Sequence, residues 1–111
     1  MAYDEQLAER LRLLVADEDG LSEQRMFGGL AFLINGNMAV AASGQGGLLV
    51  RADPESSDTL LTSTGVQPME MRGRRMAGWL RVDDAGVQTD SELAAWSARG
   101  VAFARNLPPK R

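Results

Sequence analysis

The 111-residue chain contains no cysteine and no histidine. The first absence excludes disulfides, thiol nucleophiles and cysteine-ligated metal. The second excludes imidazole acid–base catalysis, histidine-ligated zinc and a histidine pH switch. Lysine is nearly missing as well: eleven of the 12 basic residues are arginine, and Lys110 sits beside the C-terminal Arg111. Neither a Schiff base nor a Ser–Lys dyad therefore has a credible amine, and a nucleophilic serine has no base. Aromatics make up only 5% of the chain. No apolar run approaches the roughly 18 to 20 residues that span a bilayer. The first twenty residues read as an acidic amphipathic helix, not as a basic segment leading into an apolar one. A cytoplasmic location without membrane association is expected.

What is present is an ordinary globular composition, 44% hydrophobic and 24% charged, enough for one domain over residues 1–111. The core is expected at about 3–106, with 107–111 as a tail. The net charge of −3 opposes nucleic-acid binding through bulk charge. Charge is unevenly placed, however. Asp4, Glu5, Glu9, Asp17, Glu18, Asp19 and Glu23 crowd the first 24 residues, whereas Arg72, Arg74, Arg75 and Arg81 share a stretch with no acid.

The centre of the chain is Arg25 to Ala42, where a glycine pair, two apolar runs and an Asn-Gly turn follow in succession. Asn35-Gly36 between Leu30–Ile34 and Met38–Ala42 predicts a hairpin, because a type I′ turn needs positive φ at both central residues. Both runs are apolar at consecutive positions, so both sheet faces should be at least partly covered. Gly28-Gly29 marks a bend or bulge where side chains would collide. Before this hairpin, Tyr3, Leu7, Leu11, Leu14 and Val15 form a helical stripe that Gly20 follows, and Ser22–Phe27 reads as a polar edge strand.

Ser43–Gly47 is expected as a glycine-rich hairpin turn into a strand at Leu48–Arg51; without Lys-Ser/Thr and a following helix it does not read as a phosphate loop. Asp53-Pro54-Glu55 predicts a helix start, with Leu60 and Leu61 buried and Gly65 at the end. Pro68–Met71 is a short strand, Arg72–Arg75 a turn and Gly78–Val82 a last strand, with Leu80 and Val82 on one face and Trp79 and Arg81 on the other. Thr89-Asp90-Ser91-Glu92 matches a capping box. A final helix carries Leu93, Trp96, Gly100, Phe103 and Leu107 on its stripe, and Pro108-Pro109 stops it. Gly100 would let that helix lie close to the sheet. The order of elements implies an α+β fold, two layers with an antiparallel sheet, arranged α-β-β-β(β)-α-β-β-α.

Arg25-Met26-Phe27-Gly28-Gly29 after an acidic helix, then the Asn-Gly hairpin, Leu48–Arg51, the Asp53-led helix, Met76–Trp79 and Ser91–Trp96 together resemble the TfoX/Sxy family N-terminal domain. The likeness covers about residues 3–106 in order. It implies a fold like that of secretion chaperones. Members with a known role regulate bacterial competence genes, alongside other transcription factors, and carry a further C-terminal domain. This chain is expected to be the N-terminal domain standing alone. In that reading Arg25, Met26, Phe27, Gly28 and Gly29 are a structural motif, with Met26 and Phe27 filling the core under the first helix.

No catalytic set stands out, so no enzyme, cofactor or metal site is expected. Asp83-Asp84 could hold a hard cation weakly but reads as a solvated loop. The best candidate cluster is Arg72, Arg74, Arg75 and Arg81 with Trp79, expected as neighbours on a hairpin that could take phosphate or stacked bases. Two non-enzymatic functions follow: docking of a protein partner or a second copy on the outer face of Leu30–Ile34 and Met38–Ala42, which a two-layer fold would leave uncovered, or weak nucleic-acid binding through the arginines. A small-molecule-binding or metal-dependent enzyme is a third reading with no residue set behind it.

Overall fold

The computed structural model describes residues 4–26, 28–44, 46–53, 65–71, 73–83 and 86–108. The helix expected from Asp53-Pro54-Glu55, with Leu60 and Leu61, lies outside them, as do Tyr3, Phe27, Arg72, Asp84 and the Pro109–Arg111 tail. The Met26 side chain also falls outside the description.

Helix α1 spans Glu5–Val15 and begins where Asp4 accepts hydrogen bonds from the Gln6 amide at 2.9 Å and the Leu7 amide at 3.2 Å. Leu7, Ala8, Leu11 and Val15 are buried. Leu14, expected on the stripe, is 40% exposed. At about 100° per residue the buried arc centres near Leu11 and extends toward Ala8, which leaves Leu14 on the opposite rim. Leu13 points away altogether, at 80% exposure.

Six strands follow: β1 Leu21–Met26, β2 Gly29–Ile34, β3 Asn37–Ala42, β4 Leu48–Arg51, β5 Val66–Met71 and β6 Arg74–Val82. They form one sheet in the order β1-β2-β3-β4-β6-β5, every pair antiparallel. Helix α2, Asp90–Arg105, ends the described fold. The fold is α+β, as the order of sequence patterns implies. Polar β1 is an edge strand, and β5, whose register against β6 shifts between Pro68 and Glu70, is the other edge.

The Asn-Gly turn forms as expected, with φ of 52° at Asn35 and 83° at Gly36. The glycine pair is a tight bend: Gly28 has φ of 75°, and a Cβ on Gly29 would drive into the Ala42 carbonyl oxygen. The last expected strand is longer at its start, because Arg74 and Arg75, expected in the turn, belong to β6.

The helix-side core joins Leu7, Leu11 and Val15 of α1 to Phe32, Val40, Val50, Leu80 and Val82 of the sheet and Leu93 and Val101 of α2. A β-bulge shapes this core. Phe32 pairs with Val40 and Leu33 with Met38, so Ala39 is the extra residue, and Ala39 and Val40 both face the helices. Gly100 of α2 sits on that bulge; a Cβ there would meet the Ala39 carbonyl oxygen far inside contact and its carbon at 2.9 Å.

Thr89 and Glu92 cap α2 reciprocally, each side chain taking the other's backbone amide at 3.0 to 3.1 Å. The buried stripe of α2 is Leu93, Trp96, Ser97, Gly100, Val101 and Ala104. Phe103 and Leu107, expected on it, are half-buried at its side and beyond its end. Ion pairs tie the elements together at the surface: Arg10 to Asp90 at 3.2 Å, Arg105 to Glu18 at 2.7 Å, and Arg12 to Glu23 of β1 at 2.9 Å.

The Arg12–Glu23 pair has a pH signature. The hydrogen bond from Arg12, and then its charge, hold the Glu23 carboxyl below the usual carboxylate range, against the opposing effect of burial. A depressed folded pKa stabilises above the unfolded value and is lost as pH falls through the folded one. Glu23→Gln is therefore expected to unfold at slightly lower urea than the parent at neutral pH. The two midpoints should converge below about pH 3. Both partners are substantially exposed, so the gap should be small and shrink with added salt.

Candidate interaction face

The sheet buries apolar side chains on both sides. Away from the helices, Ala31, Leu33, Met38, Ala41 and Leu49 form a second apolar cluster, and Met69 and Trp79 pack against it half-buried. Ala31 and Leu33 flank Phe32 on β2 and Leu49 precedes Val50 on β4, as alternation requires, while on β3 the Ala39 bulge sets Met38 and Ala41 three residues apart on the face opposite Val40. The expectation that this face would be left open is overturned. Its five central residues are 0–7% exposed, and what remains accessible is its margin at Met69 and Trp79.

That margin is built by the β4–β6 pairing, in which Leu49 lies opposite Arg81 and Arg51 opposite Trp79. Directly opposed residues share a face, so Leu49, Arg51, Trp79 and Arg81 project together. The carbon of the Arg51 guanidinium lies over the Trp79 ring at 4.6 Å from its centroid and over the Phe103 ring of α2 at 5.3 Å. These are cation–π distances. Arg51 Nε is buried with no hydrogen-bond partner. Arg81, at the far end of the quartet, donates from Nη2 to the Gly46 carbonyl at 3.4 Å.

The described members of the arginine cluster expected from the sequence do not converge, and Arg72 lies outside the described residues. Arg74 and Arg81 lie on one strand, β6, seven residues apart, which is roughly 23 Å of extended chain. Arg74 pairs with Met71 and Arg75 with Glu70, at the Gly73 end of the hairpin. Arg81 pairs with Gln67 and Leu49 near the opposite end. Trp79 keeps Arg81 on its face, as the alternation predicts, and gains Arg51, while Arg74 and Arg75 lie toward the other end of β6. Sequence reasoning passed over Arg51 as the end of an apolar strand. Its one signal is a lone charge closing Leu48-Leu49-Val50. Asp83 is exposed in its loop, and among the described residues no group of three or more carboxylates could hold a metal ion.

The profile of the TfoX N-terminal domain family matches residues 13–104. The chain belongs to that family. Its matched span runs from the last turn of α1 through the hairpin and β4–β6 to the end of α2, so it includes all the residues of the outer face and its margin. In this TfoX N-terminal domain the Gly28-Gly29 motif is the tight bend that sets β2 against the end of β3. Neither a curated protein nor a solved structure matches the chain. Among the described residues no helix is long and apolar enough to cross a membrane.

Proposed function

We propose that this TfoX N-terminal domain is a non-enzymatic interaction module that docks a protein partner at the margin of its outer sheet face. The observation that carries this reading is the grouping of Trp79, Met69, Arg51 and Arg81 over a packed apolar floor. Tryptophan and arginine dominate binding hot spots, and methionine adapts its shape to different contacts. The floor beneath is buried already, so the anchors stand on rigid structure and lose little freedom on binding. The likeness to competence regulators supports a regulatory role in the cytoplasm, exerted through another protein or a second copy of the chain. Nucleic-acid binding has less behind it, because Arg74 and Arg75 lie at one end of β6 and Arg81 near the other.

Trp79→Ala is expected to weaken partner binding by about tenfold or more, since hot-spot truncations cost on the order of 2 kcal/mol. Leu13→Ala, on the far side of α1, should leave it unchanged. The measurement is quantitative affinity capture from the source cells with the parent and both variants, alongside sedimentation to detect self-association. Equal capture by the parent and Trp79→Ala, with a monomer throughout, would sink the reading. Binding to DNA that weakens steeply with salt would replace it with the nucleic-acid alternative.

A further inference from the structure

Arg51 is held differently from the arginines that tie the surface together. Arg10, Arg12 and Arg105 each face a carboxylate at 3.2 Å or less. Arg51 instead meets two aromatic rings, and its Nε is sealed from solvent without a partner. Nε is the one guanidinium nitrogen of Arg51 that is buried without a partner, and the residue is half-buried overall, which leaves the Nη pair to meet a ligand. Two rings restrain the guanidinium, so its fork is oriented before any ligand arrives. Paired Nη–H donors match two oxygens of a carboxylate or phosphate. The rings also displace water around the charge, which strengthens its attraction for an anion.

We propose that Arg51, oriented by Trp79 and Phe103, is an oxyanion-binding residue that takes two oxygens of a carboxylate or phosphate on its Nη nitrogens. The inference rests on the interaction reading only for the natural source of the anion, which would be an acidic group on the docked partner. The binding itself depends on Arg51 and its two rings alone.

The test titrates the isotope-labelled full chain with acetate and, separately, with inorganic phosphate, using chloride to hold ionic strength constant. The Arg51 Nε–H and Trp79 indole N–H resonances are expected to shift saturably with a midpoint at about 0.1 M, since an exposed ion pair contributes little and the oriented fork adds modestly to it. The two arms tell a carboxylate preference from a phosphate preference. Arg51→Met should weaken the Trp79 response by about tenfold or more. Arg51→Lys, which keeps the charge but loses the fork, should weaken it several-fold. Amide spectra show whether each variant is folded; if Arg51→Met is not, the comparison of Arg51→Lys with the parent decides. An equal response to chloride, an undiminished response in the variants, or no saturable shift in the parent overturns the proposal. Loss of the anion response alongside Trp79-dependent partner capture would leave the interaction reading standing. An intact anion response without such capture would do the reverse.

Discussion

Phe32→Ala is expected to lower the unfolding free energy by about 4 kcal/mol, the largest effect of any single truncation considered for this chain. Phe32 is 1% exposed and among the largest fully buried side chains. It occupies the middle of β2, paired with Glu23 of β1 on one side and Val40 of β3 on the other, at the edge of the bulge. Its ring fills the space between the sheet and the helices. The strand is hydrogen-bonded to a neighbour on each side, which limits collapse into the void, so the cavity contribution should be near the full value. Since a domain of this size is stable by about 5–15 kcal/mol, the variant would lose a large share of its margin. Urea unfolding with an unchanged denaturant slope measures it. A loss below about 1.5 kcal/mol would show that the neighbours close over the gap.

At Gly100 the expected sign opposes helix propensity. In a free helix, replacing glycine with a larger residue stabilises by up to about 1 kcal/mol. Here Gly100→Val is expected to destabilise by about 3 kcal/mol, because the added carbon meets backbone and not a yielding side chain. The Ala39 carbonyl cannot swing aside, since Ala39 is the extra residue of the bulge that sets Val40 against Phe32. Either α2 lifts from β3 or the bulge unwinds, and both open the helix-side core. Thermal or urea unfolding of Gly100→Val beside an exposed α2 control, Ala98→Val, reads the difference. A Gly100→Val protein as stable as the parent would mean that α2 does not depend on this close approach.

Much of the scaffold was legible because its signals are local. The Asn35-Gly36 turn, the Thr89–Glu92 box and the apolar runs on either side of the turn depend on φ preferences and on hydrogen bonds within four residues. The glycine role at position 100 was also readable, since glycine inside an otherwise apolar helical stripe points to close packing. Leu14 was misplaced because a five-residue stripe does not tell which edge of its arc meets the sheet. The start of β6 was misplaced because Arg74 and Arg75 look like turn residues beside Gly73, while the pairing with β5 draws them into the ladder.

The candidate site was far less legible, for a reason of geometry. Arg72, Arg74, Arg75 and Arg81 are close in sequence, and nearness in sequence suggested nearness in space. An extended strand separates residues by about 3.3 Å each, so Arg74 and Arg81 part instead of meeting. Arg51 and Trp79 are 28 positions apart and become direct neighbours only through the β4–β6 register, and Phe103 joins them only because α2 lies across the sheet. The sequence by itself determined the α+β pattern, the hairpin, the Thr89–Glu92 cap and the family, all of which are written in short-range preferences and in residue order. Tertiary structure alone decided which arginine stands against Trp79 and that the outer sheet face is closed at its centre and open at its margin. Register and layer packing are long-range, and no local preference encodes them.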